Sequence, residues 1–156
     1  KKKVLWFYNM TKIPLFSSKS LGFERDMAVF SIKYSSLPEF FAKAIIDTGC
    51  PFTIISESTV KRTRISYSSK ETKYVVQLGN IGLELKELGI CSLTFKDENN
   101  NPVKFEQEIF IGIPAVKGHL AQELPSFIGK DFLNNNSLSI INRKEGNNYL
   151  LFEDRE

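Results

Sequence analysis

The sequence predicts an all-β fold with one or two short helices. Phe and Tyr, 13 and 5 residues, are interleaved with many Ile and Val, the types that pack best on a pleated surface. Turn signals recur at short intervals, as expected for strands joined by tight connections. Neither a domain linker nor an internal repeat interrupts the 156 residues, so a single domain over 1–156 is expected.

The elements follow in order. Basic Lys1–Lys3 leads into an apolar strand, Val4–Tyr8, and Phe16–Ser20 reads as a Ser/Lys loop, so 1–20 is an N-terminal strand and loop. Met27–Tyr34 and Phe40–Ile46 read as a hairpin around Leu37-Pro38-Glu39, because proline cannot donate to a central ladder. Phe52–Ile55 is a short strand, after which Ser56 caps a helix start at Glu57-Ser58-Thr59. Lys61–Lys70 is a polar, basic loop. Tyr74–Leu78 and Leu83–Leu85 flank Gly79-Asn80-Ile81-Gly82, whose Gly and Asn tolerate the positive φ of a hairpin tip. Ile90–Phe95 and Val103–Ile113 are strands joined by the turn cluster from Asp97 to Pro102. Lys130–Asn135 reads as a helix after Gly129. Leu138–Ile141 and Tyr149–Phe152 close a last hairpin around Glu145-Gly146-Asn147-Asn148.

Composition narrows the function classes. Hydrophobic residues at 42% and charged residues at 25% are ordinary globular usage. No apolar run is long enough to cross a bilayer. A net charge of +3 argues against a nucleic-acid partner unless the charge is clustered. Two cysteines, Cys50 and Cys91, make no disulfide framework, and with one His they make no zinc site. Free thiols and the lack of a signal-peptide core lead to a cytoplasmic expectation. On the same ground the acceptor patterns at Asn9-Met10-Thr11 and Asn135-Asn136-Ser137 are discounted as glycosylation sites. A first residue that is Lys leads to the expectation of a processed product or an excised domain.

The chemistry concentrates in Ala44-Ile45-Ile46-Asp47-Thr48-Gly49-Cys50. An apolar strand runs straight into Asp-Thr-Gly, which puts a carboxylate at a rigid, sheltered end. Thr offers a hydroxyl to lock the loop, and Gly lets the backbone approach a partner closely. Downstream, the Gly-flanked tip Gly79–Gly82 is followed by Phe127-Ile128-Gly129 and then Lys130-Asp131-Phe132-Leu133, a helix start. Each piece alone is an ordinary turn or strand end. Their order and spacing are not ordinary.

In that order and spacing the chain resembles the retroviral-type aspartic proteases, the retropepsins, over about Met27 to Leu151. The resemblance implies a closed acid-protease barrel with one lobe per chain, and it implies that Asp47 carries the catalytic carboxylate. It gives Thr48 and Gly49, with Ile128 and Gly129 of the closing ψ-shaped loop, the role of active-site support. It makes Gly79, Asn80, Ile81 and Gly82 the tip of a substrate-binding flap over 74–88. Of the nine glycines, only Gly49 follows an Asp-Thr pair. One carboxylate cannot act as acid and base to a water at once, so the resemblance implies a homodimer acting on peptide or protein substrates. It implies no metal and no cofactor.

The chain departs from the viral pattern. Cys50-Pro51-Phe52 stand where Ala and acidic residues are usual, and Lys130 stands where an Arg would pair with one of those acids. Dimer support is therefore expected from elsewhere. Ile-Gly-Lys-Asp-Phe-Leu is closer to the cellular and microbial retropepsin-like proteins. The chain runs past Asn142 into a further hairpin, where viral chains end with strands that interleave between protomers, and Val4–Tyr8 is a candidate replacement. Three other readings are weighed. One is a weakly active or inactive retropepsin-like module for dimerisation or peptide binding. Another is a Cys50–His119 nucleophilic dyad. The third is nucleic-acid binding by Lys61, Arg62, Arg64, Lys70 and Lys73, for which a solvated loop is the better reading.

Overall fold

The computed structural model describes residues 9–20, 22–116 and 124–154. Lys1–Lys3, the Val4–Tyr8 strand and His119 lie outside the described residues. The all-β expectation holds. Among the described residues there are two short helices and eleven strands, and the strands form a three-stranded sheet, β1-β11-β10, and an eight-stranded sheet, β2-β3-β4-β9-β5-β8-β7-β6. The strands are β1 (Asn9–Pro14), β2 (Phe16–Ser20), β3 (Phe23–Lys33), β4 (Phe40–Ile46), β5 (Ile54–Ser56) and β6 (Thr72–Leu78). They continue as β7 (Ile81–Lys96), β8 (Pro102–Pro114), β9 (Ser126–Ile128), β10 (Leu138–Ile141) and β11 (Tyr149–Asp154). The helices are α1 (Glu57–Val60) and α2 (Lys130–Asn135).

The large sheet closes on itself. Ser31, Ile32 and Lys33 of β3 pair antiparallel with Thr94, Leu93 and Ser92 of β7, so β3-β4-β9-β5-β8-β7 form a barrel, with β2 and β6 as flanking strands. Closure removes sheet edges that would otherwise remain unpaired. In β8 buried Phe105, Gln107 and Ile109 alternate with exposed Lys104, Glu106 and Glu108, the period-two pattern of a wall with one wet face.

Three sequence expectations are corrected. Phe16–Ser20 is an edge strand paired with β3, not a loop. Only Phe16, Ser18 and Ser20 are turned even partly inward, so two serines on the covered face hid its alternation. Asn9–Pro14, which carried no strand signal beside Val4–Tyr8, is β1 and pairs with β11. Leu83–Leu85 and Ile90–Phe95 are one strand of 16 residues. The apparent break is a bulge between Glu87 and Gly89, where Gly89 takes φ +120°. The boundaries of β4, α2 and β10 match the sequence reading.

Two apolar clusters fill the interior. In the larger, Phe30 stacks on Phe95 at 4.8 Å between ring centroids, and Phe132 of α2 packs on Phe95 at 5.5 Å and on Phe105 at 5.2 Å. Phe152 of β11 meets Phe105 at 5.5 Å, which ties the small sheet to the barrel. The second cluster runs from Met27 and Ile45 through Ile54, Leu85 and Phe110 to Phe127 and underlies the site described below. Phe132→Ala should lower stability by about 3–5 kcal/mol, as for other buried aromatic truncations, read from urea midpoints at constant m-value.

Candidate active site

β4 brings Asp47 to the barrel end on a buried run, with Ala44 and Ile45 almost fully enclosed. It pairs in parallel with β9, Ala44↔Ser126 through Ile46↔Ile128, and the Asp47 N–H continues this ladder by donating to the Ile128 carbonyl at 3.0 Å. The other edge of β9 meets β5, Ile54↔Phe127. The chain thus leaves β4, loops through 47–53 and returns as β5 with β9 lying between the two, a ψ-shaped loop.

This arrangement dictates Gly129. A Cβ there would lie 2.2 Å from the Phe52 carbonyl oxygen and 2.7 Å from that of Cys50, both backbone atoms that cannot swing aside. The Lys130 N–H donates to the Cys50 carbonyl at 2.8 Å across the same contact.

The Asp47 carboxylate is half-buried, and its Oδ1 accepts from the Gly49 N–H at 2.9 Å. Thr48 and Gly49 are exposed, and the Thr48 side chain makes no hydrogen bond among the described residues. Ile128 is fully buried behind the loop, as a support and not a wall of the opening.

A second carboxylate, which sequence reasoning passed over as part of a helix start, holds the loop from below. Asp131 accepts from the Thr53 N–H (3.1 Å) and hydroxyl (2.8 Å), from Gln107 Nε2 (3.0 Å) and from the Phe132 N–H (2.7 Å). Thr53 Oγ1 in turn accepts from the Gly129 N–H at 3.2 Å. All of these ties lie within one chain. The available signal was an acid one residue after Lys130, with a Thr closing the loop after Asp47.

The hairpin of β6 and β7 reaches over the Asp47 loop. Leu78 pairs with Ile81, and the positive φ of the tip falls on Gly79, +60°. Gln77, Leu78, Gly79 and Ile81 line a cleft of about 320 Å³ together with Asp47 and Gly49. Its floor and sides include Ile45, Phe127, Leu124 and Arg25. Asn80 and Gly82 are not among the residues lining this cleft, and the Gly82 carbonyl accepts the Ala115 N–H at 2.9 Å to brace the hairpin against the end of β8. At the hairpin base Tyr74 stacks on Phe52 at 4.8 Å, and Phe110 packs edge-on against both rings. That cluster joins the hairpin directly to the loop after Asp47.

The structure speaks against thiol chemistry. Cys50 is fully buried with its Sγ–H directed at the Phe52 carbonyl, 3.2 Å away. Burial pushes this thiol up, the hydrogen bond with the Phe52 backbone opposes it in part, and the nearby Asp47 and Asp131 carboxylates add to the rise. Cys91 is pushed up to about 12 by burial. The basic loop is partly tied down: Lys61 pairs with Glu57 at 3.7 Å and Lys73 with Glu87 at 3.1 Å. Among the described residues no cluster of His, Cys, Asp or Glu is suited to a metal, and no helix is long and apolar enough to cross a membrane.

Two outcomes follow. Asp131→Ala strands the Thr53 and Gln107 donors and should cost on the order of 3 kcal/mol in urea unfolding. Neither cysteine should react with a thiol reagent at neutral pH until the protein unfolds; fast labelling of Cys50 in folded protein would contradict its burial.

No family model matches this chain, and no curated protein matches it in sequence. Solved structures do match. A retropepsin-like aspartic protease from Rickettsia conorii aligns at 10% identity over 96% of this chain and 98% of its own, with a TM-score of 0.57. EIAV protease in complex with the inhibitor HBY-793 aligns at 12% identity over 80% of this chain and 98% of its own, TM-score 0.46. The retroviral protease-like domain of Ddi1 from Leishmania major aligns at 12% identity over 83% and 94%, TM-score 0.40. The Rickettsia alignment spans nearly all of both chains, and the fold of this chain is retropepsin-like.

Proposed function

We propose that the chain is an aspartic endopeptidase that works as a homodimer, with one Asp47 from each protomer. The observation that carries this reading is the cleft that Asp47 and Gly49 share with Gly79 and Ile81 of the hairpin tip. In a symmetric pair the two carboxylates lie together on the axis. Like charges so close do not both ionise, so the pair holds one proton. The ionised carboxylate takes a proton from a water as its oxygen bonds to the scissile carbonyl carbon. The protonated carboxyl gives its proton to the carbonyl oxygen, forming a tetrahedral diol. On collapse, one diol proton returns to a carboxylate, the amide nitrogen takes a proton from the dyad, and the C–N bond breaks. The Gly49 N–H holds Oδ1, which leaves Oδ2 for this traffic. Thr48, exposed at the loop apex, braces the facing loop, and the hairpin acts as a flap whose Ile81 positions substrate and excludes water. Ile45, Leu78, Ile81 and Phe127 favour apolar side chains beside the cleaved bond. The reaction uses no metal and no organic cofactor.

The test is cleavage of a diverse peptide library, read by mass spectrometry from acidic to neutral pH, with sedimentation of the same samples. Asp47→Asn keeps an oxygen for the Gly49 N–H, so it should still fold and dimerise. Cleavage should fall by about 10²–10⁴-fold or more, the scale of a lost general acid–base group. Undiminished cleavage by the variant would refute the assignment of Asp47. A wild-type dimer that binds these peptides and cleaves none would favour a peptide-binding module.

A further inference from the structure

We propose that a basic pocket beside the cleft binds an anionic side chain, a carboxylate or a phosphate, of the polypeptide lying in that cleft. The polypeptide rests on the function proposed above; the anion chemistry does not. The pocket measures about 280 Å³ and is lined by Lys19 of β2, Lys43 of β4 and Arg62 beyond α1. Among the described residues none of those lining it is acidic. The chain as a whole carries only +3, so three cations around one hollow mark a local concentration of charge.

The cations are available. Among the described residues the ion pairs are Lys61–Glu57 and Lys73–Glu87, and neither includes Lys19, Lys43 or Arg62. Two acids on adjoining elements bear on this charge. Glu24 stands opposite Lys19 in the β2–β3 register without forming an ion pair, and Glu57 is engaged by Lys61 and by the Tyr67 hydroxyl at 3.0 Å. Lys43 Nζ sits 5.3 Å above the Phe16 ring and reaches Ser18 Oγ at 3.5 Å, contacts that orient the ammonium without neutralising it. Ser58 adds an exposed hydroxyl.

The pocket also adjoins the cleft. Leu124 lines both hollows, and the cleft's own cation, Arg25, has the same sign. A chain lying over Asp47 and running past Leu124 would carry its next side chains to Lys19, Lys43 and Arg62. The structure thus selects for acidic or phosphorylated residues on that side of the bound segment. Carboxylate and phosphate both satisfy a fork of cations; phosphate carries more charge and more acceptors.

Binding separates this inference from catalysis. Full-chain Asp47→Asn protein would be titrated with fluorescein-labelled peptides that share an apolar centre and carry glutamates, glutamines or phosphoserines on one flank. The glutamate peptide should bind about tenfold tighter than its glutamine counterpart, since each exposed ion pair is worth a factor of about two to five. The advantage should shrink as salt is raised. Lys43→Gln with Arg62→Gln, both at exposed positions, should abolish it while leaving affinity for the glutamine peptide and the thermal midpoint unchanged. A further gain with phosphoserine assigns phosphate as the preferred group, and no gain assigns carboxylate; both sustain the pocket. Equal binding of glutamate and glutamine peptides, absence of binding by either, or an advantage that survives the double variant overturns it. Wild-type protein that shows the charge preference but cleaves nothing would refute the protease and leave the pocket standing.

Discussion

A three-residue strand, β9, hydrogen-bonds on both edges, to β4 in parallel and to β5 antiparallel, and the rest of the site depends on that insertion. It separates two strands that a short connection would otherwise let pair as a hairpin, and it forces 47–53 out as a loop. The insertion leaves no space at Gly129, where backbone meets the Phe52 and Cys50 carbonyls. The Asp47 backbone is then held by Ile128, and its carboxylate by Gly49 within the same loop. Asp131, delivered by the first turn of α2, holds the loop from the opposite side through Thr53. A carboxylate built this way is positioned before any substrate arrives, which is what acid–base work requires.

The strands were largely legible in the sequence because most of them alternate or are continuously apolar and their turns carry Gly, Asn and Pro, whereas closure into a barrel was implied only by the family resemblance. Phe40–Ile46 and Lys130–Asn135 were readable to the residue, since Pro38 and Gly129 punctuate them. The misses have a common cause. β2 is an edge strand with serines on its partly covered face, β1 gains its pairing from the far end of the chain, and β7 hides its continuity behind the Gly89 bulge. Local pattern reports burial on one face; it does not report a partner 140 residues away. The same holds for the site. Asp47-Thr48-Gly49 stands out because the tripeptide follows an apolar run, whereas Thr53, Gln107 and Asp131 are ordinary residues that acquire meaning only when the fold brings them within 3.1 Å. The basic hollow of Lys19, Lys43 and Arg62 is likewise assembled from three separated segments.

The small sheet bears on assembly. β11 pairs with β1 on one edge and β10 on the other, all within one chain. Both of its edges are therefore occupied, and an interleaving of terminal strands of the kind found in viral enzymes does not extend to β11. In the proposed dimer the protomers would meet through surfaces other than the edges of β11, and Thr48 at the Asp47 loop is exposed.

The central claim is that each active site takes one Asp47 from each of two chains, and subunit mixing tests it most directly. Wild-type protein would be unfolded together with increasing proportions of Asp47→Asn protein, refolded at constant total concentration, and assayed against the best library peptide. If both carboxylates are needed, activity should fall as the square of the wild-type fraction, because mixed dimers are inactive. A linear fall would mean that one Asp47 suffices within its own chain, and the shared dyad would be wrong.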